Sequence, residues 1–87
     1  QLQGNKIYVI GMVARPGEFV LNRRVDVMQA LSMAGGTVRF ADLSGIRILR
    51  RVDGRETAIP FNYAQVEQGK ELEQNVLLEV GDVVVVP

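Results

Sequence analysis

The sequence contains no cysteine and no histidine among its 87 residues. Without cysteine the chain can form neither disulfides nor thiolate-bound metal or iron–sulfur sites. Without histidine it also lacks the most common general base and the most common metal ligand. We therefore expect a protein that is not an enzyme, that carries no cofactor and that has no metal site.

The charge balance and the lack of long apolar runs exclude two further classes of function. The 10 basic and 10 acidic residues cancel, so no bulk charge draws the chain to nucleic acid or to an anionic membrane surface. No apolar run approaches the length of a membrane span, and no signal-peptide pattern is present. We expect no nucleic-acid partner, and membrane association only through parts outside this chain.

The length suits a single domain with one modest hydrophobic core, and 47% of the residues are apolar. The chain begins at Gln1 rather than at a methionine, and it closes at Pro87 directly after an apolar run. We expect residues 1–87 to be one domain excised from a longer protein.

Two apolar runs near the start of the chain predict a pair of strands. Lys6–Ile10 is apolar on both alternating faces, which is typical of a strand buried from both sides. The apolar pattern returns at Glu18–Leu21, after an interruption by Pro16-Gly17. Proline fixes φ at one central position of a β-turn and glycine accepts a positive φ at the next, so this dipeptide predicts a type II turn and a hairpin.

A helix with a marked start and a marked end is predicted after this hairpin. Asp26 can cap its first turn, with Gln29 three residues on as the capping-box partner. Gly35-Gly36 supplies the left-handed residues with which many helices end. Four apolar residues follow the helical period and form one stripe: Val27, Ala30, Leu31 and Ala34.

The second half of the chain predicts three more strands and a short helix. Ile46–Val52 and Arg55–Ile59 are joined by Asp53-Gly54, a strong signal for a two-residue hairpin loop. Asn62 can cap a short helical turn after this hairpin. The last run, Val83–Val86, has no polar face and is therefore predicted to lie in the middle of a sheet.

The order of these elements predicts an α+β fold of the β-grasp type. Two hairpins, a helix between them, a short second helix and a final apolar strand form a mixed sheet of about five strands, with the main helix packed on one face. We expect the final strand to lie between the two hairpins and parallel to the first strand, because both strands are apolar on both faces.

Several short motifs occur in a distinctive order along the chain: Val9-Ile10-Gly11, Pro16-Gly17, Ala30–Gly36, Ile48-Leu49-Arg50 and Gly81–Pro87. Together they resemble the SLBB domain, the soluble-ligand-binding β-grasp module found in outer-membrane polysaccharide export proteins. The matching residues are turn and helix-end residues with structural roles. They are Gly11, Pro16, Gly17, Ala34, Gly35, Gly36, Gly81 and Asp82.

The resemblance implies a location and a role. In that family the module lies in the periplasm, associated with the outer membrane, and helps to build a ring-shaped homo-oligomer that exports capsule polysaccharide or exopolysaccharide. We therefore expect a non-enzymatic module that serves subunit assembly in the full-length parent, with saccharide contact as a further expectation. The alternative is a receptor domain that captures a soluble, saccharide-like small ligand.

Six residues are candidate contacts for a ligand or a neighbouring subunit. Arg15 and Glu18 flank the predicted turn, and we expect alanine at both positions to leave the fold intact while weakening association. Arginines form planar, charge-assisted hydrogen bonds with the carboxylates of acidic sugars or of another subunit. The full set is Arg15, Glu18, Arg39, Phe40, Arg47 and Arg51.

The arginines and Phe40 also have interpretations that need no ligand. Alternation along the second hairpin places Arg47 and Arg51 on the face opposite Arg50, so one partner can meet at most half of the cluster. Phe40 is either a lid over the helix end or an aromatic platform for a sugar. Surface ion pairs are common and contribute little to stability. The acids available to pair with the arginines are Glu56, Asp53 and Asp42.

Asp82 and Glu79 suggest the paired carboxylates of a glycosidase. Gly81-Asp82 between apolar runs is ordinary turn chemistry, however, so we interpret Asp82 as a turn residue. A hydrolase is the third hypothesis, and turnover of a glycan that disappears in an Asp82→Asn variant would support it.

Overall fold

The computed structural model describes residues 6–87. Its elements in chain order are β1 (Lys6–Gly11), β2 (Gly17–Val20), α1 (Val27–Met33), β3 (Ile46–Val52), β4 (Arg55–Phe61), α2 (Tyr63–Glu67) and β5 (Val83–Val86). A 3-10 helix over Leu72–Gln74 lies between α2 and β5. The predicted α+β fold and order of elements are confirmed, although β4 ends at Phe61 rather than at Ile59.

The five strands form one mixed sheet in the order β2-β1-β5-β3-β4. β5 pairs parallel with β1 and antiparallel with β3, so Val84 lies between Val9 and Ile48. The predicted position of the last strand, between the hairpins and parallel to the first strand, is confirmed. Its all-apolar sequence suits a place where the backbone has a pairing strand on each side.

Helix α1 begins and ends as the sequence predicts. Asp26 Oδ1 accepts a hydrogen bond from the Gln29 N–H at 2.8 Å, and Gln29 Oε1 accepts one from the Asp26 N–H at 2.9 Å, which completes the capping box. The helix is followed by Gly35 and Gly36, whose φ angles are 84° and 85°. Residues close in sequence therefore complete the backbone hydrogen bonds at both ends of this two-turn helix.

The second hairpin and the short helix are also confirmed. Asp53 and Gly54 have φ angles of 53° and 79°, the two positive values that a type I′ loop requires. Asn62 caps α2 by accepting a hydrogen bond from the Gln65 N–H at 3.1 Å. The connection from α2 to β5 is then fastened to α1, because Asn75 Oδ1 accepts a hydrogen bond from the Met28 N–H at 3.0 Å.

Pro16-Gly17 does not form the tight turn predicted from the sequence. β1 ends at Gly11 and β2 begins at Gly17, so the connection consists of residues 12–16. This loop first runs along the C-terminal end of α1, where the Arg15 N–H donates to the Ala34 carbonyl at 2.8 Å. β1 and β2 do pair as predicted, but a longer loop that docks on the helix end reverses the chain.

The hydrophobic core lies on one side of the sheet, where α1 packs. Inward-facing residues of the three central strands are almost completely buried: Ile7, Val9, Ile46, Ile48, Val84 and Val86. On the other side of β1, Tyr8 is 36% and Ile10 is 43% exposed. The prediction that β1 is buried from both sides is therefore wrong. Neither α1 nor α2 covers the side of the sheet on which Tyr8 and Ile10 lie.

Candidate functional site

The side of the sheet opposite the core carries exposed apolar residues, and we call it the outer face. Alternation along the strands sends every second side chain of the sheet to this surface. The centre of the outer face is apolar and comes from the three middle strands. Its central residues are Tyr8, Ile10, Leu49, Val83 and Val85.

The strand register places these residues in two adjacent rows. Tyr8 lies beside Val83, and Val83 lies beside Leu49. One row further along, Ile10 lies beside Val85. Leu49, Val83 and Val85 are half-buried by their neighbours, whereas Tyr8 and Ile10 are exposed. The rows form a continuous apolar surface rather than scattered side chains, and such a patch on a soluble domain is typical of an interaction site.

Charged residues surround this apolar centre, and most of them pair with each other. Lys6 Nζ lies 3.6 Å from Glu18 Oε2 at the β1–β2 side. Arg51 Nη2 lies 3.6 Å from Glu56 Oε1 at the β3–β4 side. Arg47 is exposed on the same face and has no acidic partner within residues 6–87. The rim of the outer face is therefore largely neutral, with one free guanidinium group.

The structure divides the six candidate contact residues among three regions: the outer face, the loop before β2 and the loop after α1. Glu18, Arg47 and Arg51 lie on the outer face, as the strand register shows. Arg15 lies in the loop at the end of α1, where its Nη2 donates to the Met33 carbonyl at 3.4 Å. Arg15 and Glu18 therefore do not share one surface, although the sequence places them on either side of the same dipeptide.

The other two candidates, Arg39 and Phe40, lie in the loop after α1. The Arg39 guanidinium carbon is 5.8 Å from the centroid of the Phe40 ring. Phe40 is 89% exposed, so it does not act as a lid over the helix end. Its φ angle of 72° is unusual for a bulky residue. The ring is exposed and lies beside an arginine, so stacking of Phe40 on a sugar stays a prediction.

A buried ion pair that the sequence did not reveal fixes the end of β5. Arg50 Nη2 donates to Asp82 Oδ2 at 2.8 Å, and Arg50 Nε lies 3.2 Å from each Asp82 oxygen. Asp82 is only 1% exposed, and it also accepts a hydrogen bond from the Glu79 N–H at 2.8 Å. The last bond confirms the predicted turn role of Asp82, while the ion pair adds a link from the turn to β3.

The electrostatics of this pair are those of a structural link. The hydrogen bond to Asp82, with the negative charges of Asp82 and Glu79, raises the pKa of Arg50 above its ordinary value, although desolvation acts in the opposite direction. Glu79 is also within 3.6 Å of Arg50 and 4.0 Å of Arg24. A carboxylate that is buried and held by a guanidinium group is poorly placed to reach a substrate, which argues against the glycosidase hypothesis.

The arginines as a whole do not form one basic surface. Arg50 faces the core side of β3, and Arg47 and Arg51 face the other, which confirms that alternation splits the cluster. Of the three acids proposed as partners, Glu56 pairs with Arg51, whereas Asp42 accepts a hydrogen bond from the Ser44 hydroxyl at 3.0 Å. Ion pairs within the chain therefore account for part of the arginine cluster. Arg47 is the arginine of the outer face that has no acidic partner among residues 6–87.

A shallow groove lies on the helix side of the domain, with a volume of about 360 Å³. Its apolar wall comes from α1, and its hydroxyl groups come from Ser32 and Tyr63. The lining residues are Met28, Leu31, Ser32, Gly35, Gly36 and Tyr63. A groove of this size falls within the range of small-ligand sites, although it is open rather than enclosed.

The outer face carried a sequence signal that admits two explanations. Tyr8, Ile10, Val83 and Val85 are the residues that made β1 and β5 apolar on both faces. Burial within the same chain and contact with a partner produce the same pattern, so the sequence alone could not separate them. The Arg50–Asp82 pair had a weaker signal, a charged residue at an inward position of β3.

Within residues 6–87, no helix is both long and apolar enough to cross a membrane. The same residues contain no group of three or more acidic side chains that could hold a metal ion. A family model for the SLBB domain matches residues 5–86, which is nearly the whole chain. The chain therefore belongs to the SLBB domain family, a ligand-binding type of domain.

Proposed function

We propose that this domain is a non-enzymatic assembly and binding module of an outer-membrane polysaccharide export protein. In this proposal it works in the periplasm, within a homo-oligomer of the full-length parent, and contacts saccharide during export. Membership of the SLBB family supports a binding role. The observation that carries the proposal is the outer face, because a broad apolar surface with a neutral rim suits contact with protein rather than chemistry on a substrate.

The side chains support binding over catalysis. Glu79 and Asp82 are the two acids that most resemble a catalytic pair. Both contact Arg50, and Asp82 is buried. General acid–base catalysis needs a group that can reach the substrate and exchange a proton near the working pH. Asp82 fails this geometric requirement because it is buried, so Glu79, which is more than half exposed, has no second accessible acid in this pair.

The test of this proposal uses the full-length parent in its own cells. Removal of residues 6–86 from the parent should abolish surface polysaccharide and reduce the mass of the oligomer extracted from the outer membrane. A variant with the Asn62→Ala substitution, which affects only the cap of α2, serves as the matched control and should keep both. Unchanged export after the deletion, or a parent that is cytoplasmic and carries no export domain, would contradict the proposal.

The second candidate function is a receptor domain for a soluble small ligand, and the groove beside α1 favours it. Ser32 and Tyr63 offer hydroxyl groups above an apolar wall, which suits a small polyhydroxylated ligand. Titration of the labelled chain with neutral and acidic oligosaccharides separates the candidates. Saturable amide shifts around Ser32 and Tyr63 with one ligand per chain would favour the receptor. Unchanged spectra at millimolar sugar would contradict both the receptor and the saccharide contact, and would leave subunit assembly as the role of the module.

A further inference from the structure

The free guanidinium group of Arg47 lies in a shallow pocket, which we call the Arg47 pocket. It has a volume of about 230 Å³ and lies where the outer face meets the loop before β3. Its lining residues are Ser44, Gly45, Ile46, Arg47, Ala58 and Pro60. Lys6 and Arg51, the other basic residues of the outer face, are paired with acids, whereas Arg47 has no acidic partner among residues 6–87.

The floor of the Arg47 pocket is apolar and comes from β4, an edge strand of the sheet. The strand register places Pro60 directly beside Arg47, with Ala58 one row further along. Both residues are exposed, and neither has a polar side-chain atom that could compete for the guanidinium group. An apolar floor beside a few polar groups is the usual composition of a small-ligand site.

The backbone of β4 adds a hydrogen-bond donor at the edge of this floor. Hydrogen-bonding directions alternate along a strand. The Val86 carbonyl accepts a hydrogen bond from the loop after β1, so Val85 bonds instead to Arg47 of β3. The backbone groups of Arg47 therefore point away from β4, and those of Pro60 and Ala58 point to the open edge. The Ala58 N–H is thus free within the described part of the chain.

The loop before β3 supplies hydrogen-bond acceptors on the other side of the pocket. Asp42 Oδ1 accepts hydrogen bonds from the Ser44 hydroxyl at 3.0 Å and from the Ser44 N–H at 3.2 Å. Asp42 Oδ2 accepts none within residues 6–87, and it lies 2.7 Å from the place where a Cβ atom of Gly45 would be. Because its proton is directed to Asp42, the Ser44 oxygen also keeps its lone pairs for an incoming donor.

We propose that the Arg47 pocket binds one carboxylated sugar unit, of the hexuronic acid type, in an acidic polysaccharide. This inference rests on the saccharide contact of the proposed function and names its site and its class of sugar. The sugar carboxylate accepts paired hydrogen bonds from the planar guanidinium group of Arg47. The ring hydroxyls donate to Asp42 and Ser44, and an apolar face of the ring lies on Pro60.

The size and the charges of the pocket fit this class of ligand. Sites for drug-sized molecules have about 300–1,000 Å³, so the smaller Arg47 pocket suits a single unit of a longer chain. One positive group stands opposite one negative group, Asp42, so a ligand rich in phosphate would meet repulsion as well as attraction. A sugar acid combines one carboxylate with several hydroxyl donors and is complementary to both sides.

An amide NMR titration of the labelled 87-residue chain tests this inference, with glucuronic acid, glucose and acetate as separate probes. Glucuronic acid should give saturable shifts at Ser44, Arg47 and Ala58, with a Kd on the order of 1 mM because the site is shallow. Glucose lacks the carboxylate and acetate lacks the hydroxyl groups. Each should therefore bind roughly fivefold more weakly or worse.

Two variants of Arg47 and one control locate the binding site. Arg47→Gln should weaken glucuronic acid binding at least about tenfold, because it removes the charged donor. Arg47→Lys keeps the charge but loses the paired donors, so it should also weaken binding, and it repeats the test if Arg47→Gln does not fold. Arg55→Gln is the matched control, because Arg55 is an exposed arginine of β4 on the opposite side of the sheet. It should leave the Kd unchanged.

The outcomes separate this inference from the proposed function. Absence of saturable shifts, shifts at Ser32 and Tyr63 instead, acetate binding as tight as that of glucuronic acid, or an unchanged Kd in both Arg47 variants would overturn the site. Loss of export on deletion of the domain would still support the assembly module in each of these cases. A site that needs Arg47, in a parent whose export survives the deletion, would support this inference and contradict the proposed function.

Discussion

At the scale of single residues, Arg50 and Asp82 form a side-chain link between β3 and the start of β5, in addition to the backbone pairing of these strands. Arg50 comes from β3, and Asp82 ends the turn that leads into β5. Arg50 also donates to the Leu77 carbonyl at 3.0 Å. A buried charge that loses its partner keeps its desolvation cost without compensation. We therefore expect the removal of one partner of this pair to lower the free energy of unfolding.

The first prediction compares two isosteric changes of acids that contact Arg50. Asp82→Asn should lower the free energy of unfolding by about 3 kcal/mol, because it removes the charge of the buried partner of Arg50 and leaves only the exposed Glu79 at 3.6 Å. Glu79→Gln should cost less than about 1 kcal/mol, because the Glu79 side chain is 56% exposed and its charge is screened by solvent. Urea unfolding at neutral pH measures both values. Equal losses for the two variants would contradict a structural role specific to Asp82.

At the scale of elements, the parallel pairing of β1 with β5 depends on a close approach of backbones at Gly11. The Met12 N–H donates to the Val86 carbonyl at 2.9 Å, directly after Gly11, whose φ angle is 97°. A Cβ atom at position 11 would overlap the Val86 carbonyl oxygen. Only glycine allows β1 to end this close to β5 and to continue toward α1.

The second prediction separates this steric effect from backbone strain. Gly81 has a φ angle of 87°, close to that of Gly11, but it has open space where a Cβ atom would lie. Gly81→Ala should therefore cost only the left-handed strain of about 1–2 kcal/mol. Gly11→Ala should cost at least about 2 kcal/mol more, because overpacking adds to the strain. Thermal unfolding of both variants measures the difference, and equal losses would show that the close approach has no energetic consequence.

Much of the element order could be predicted because local signals define it. The Asp26 capping box, the Asp53-Gly54 loop and the all-apolar β5 each identify a boundary or a position without any tertiary information. The prediction of a tight turn at Pro16-Gly17 was wrong because the loop before this dipeptide binds the end of α1, a contact between residues far apart in sequence. This tertiary contact outweighs the local turn preference of the dipeptide.

The candidate site was less predictable because it depends on what the fold leaves uncovered. Tyr8 and Val83 are close only through the parallel pairing of strands from opposite ends of the chain. An apolar residue that faces a partner has the same pattern as one in the core. Arg50 and Asp82 are likewise joined only after β3 and β5 pair. The sequence could therefore indicate the residues but not the surface that they form.

At the scale of the whole molecule, the domain has two layers, with helices and connections on one side of the sheet and the outer face on the other. The core side is complete, since it encloses the apolar residues of α1 and of the middle strands. The outer face is the side that the fold leaves available. The central claim of the proposed function is that this surface joins copies of the domain during assembly.

The most direct test of that claim is a dilution series of two-dimensional amide spectra of the labelled chain, from about 1 mM downward. Contact between copies through the outer face should give concentration-dependent shifts in the three middle strands, centred on Tyr8, Leu49 and Val83, with the groove at Ser32 and Tyr63 unchanged. Spectra that do not change with concentration, or shifts confined to the loop around Phe40, would contradict it.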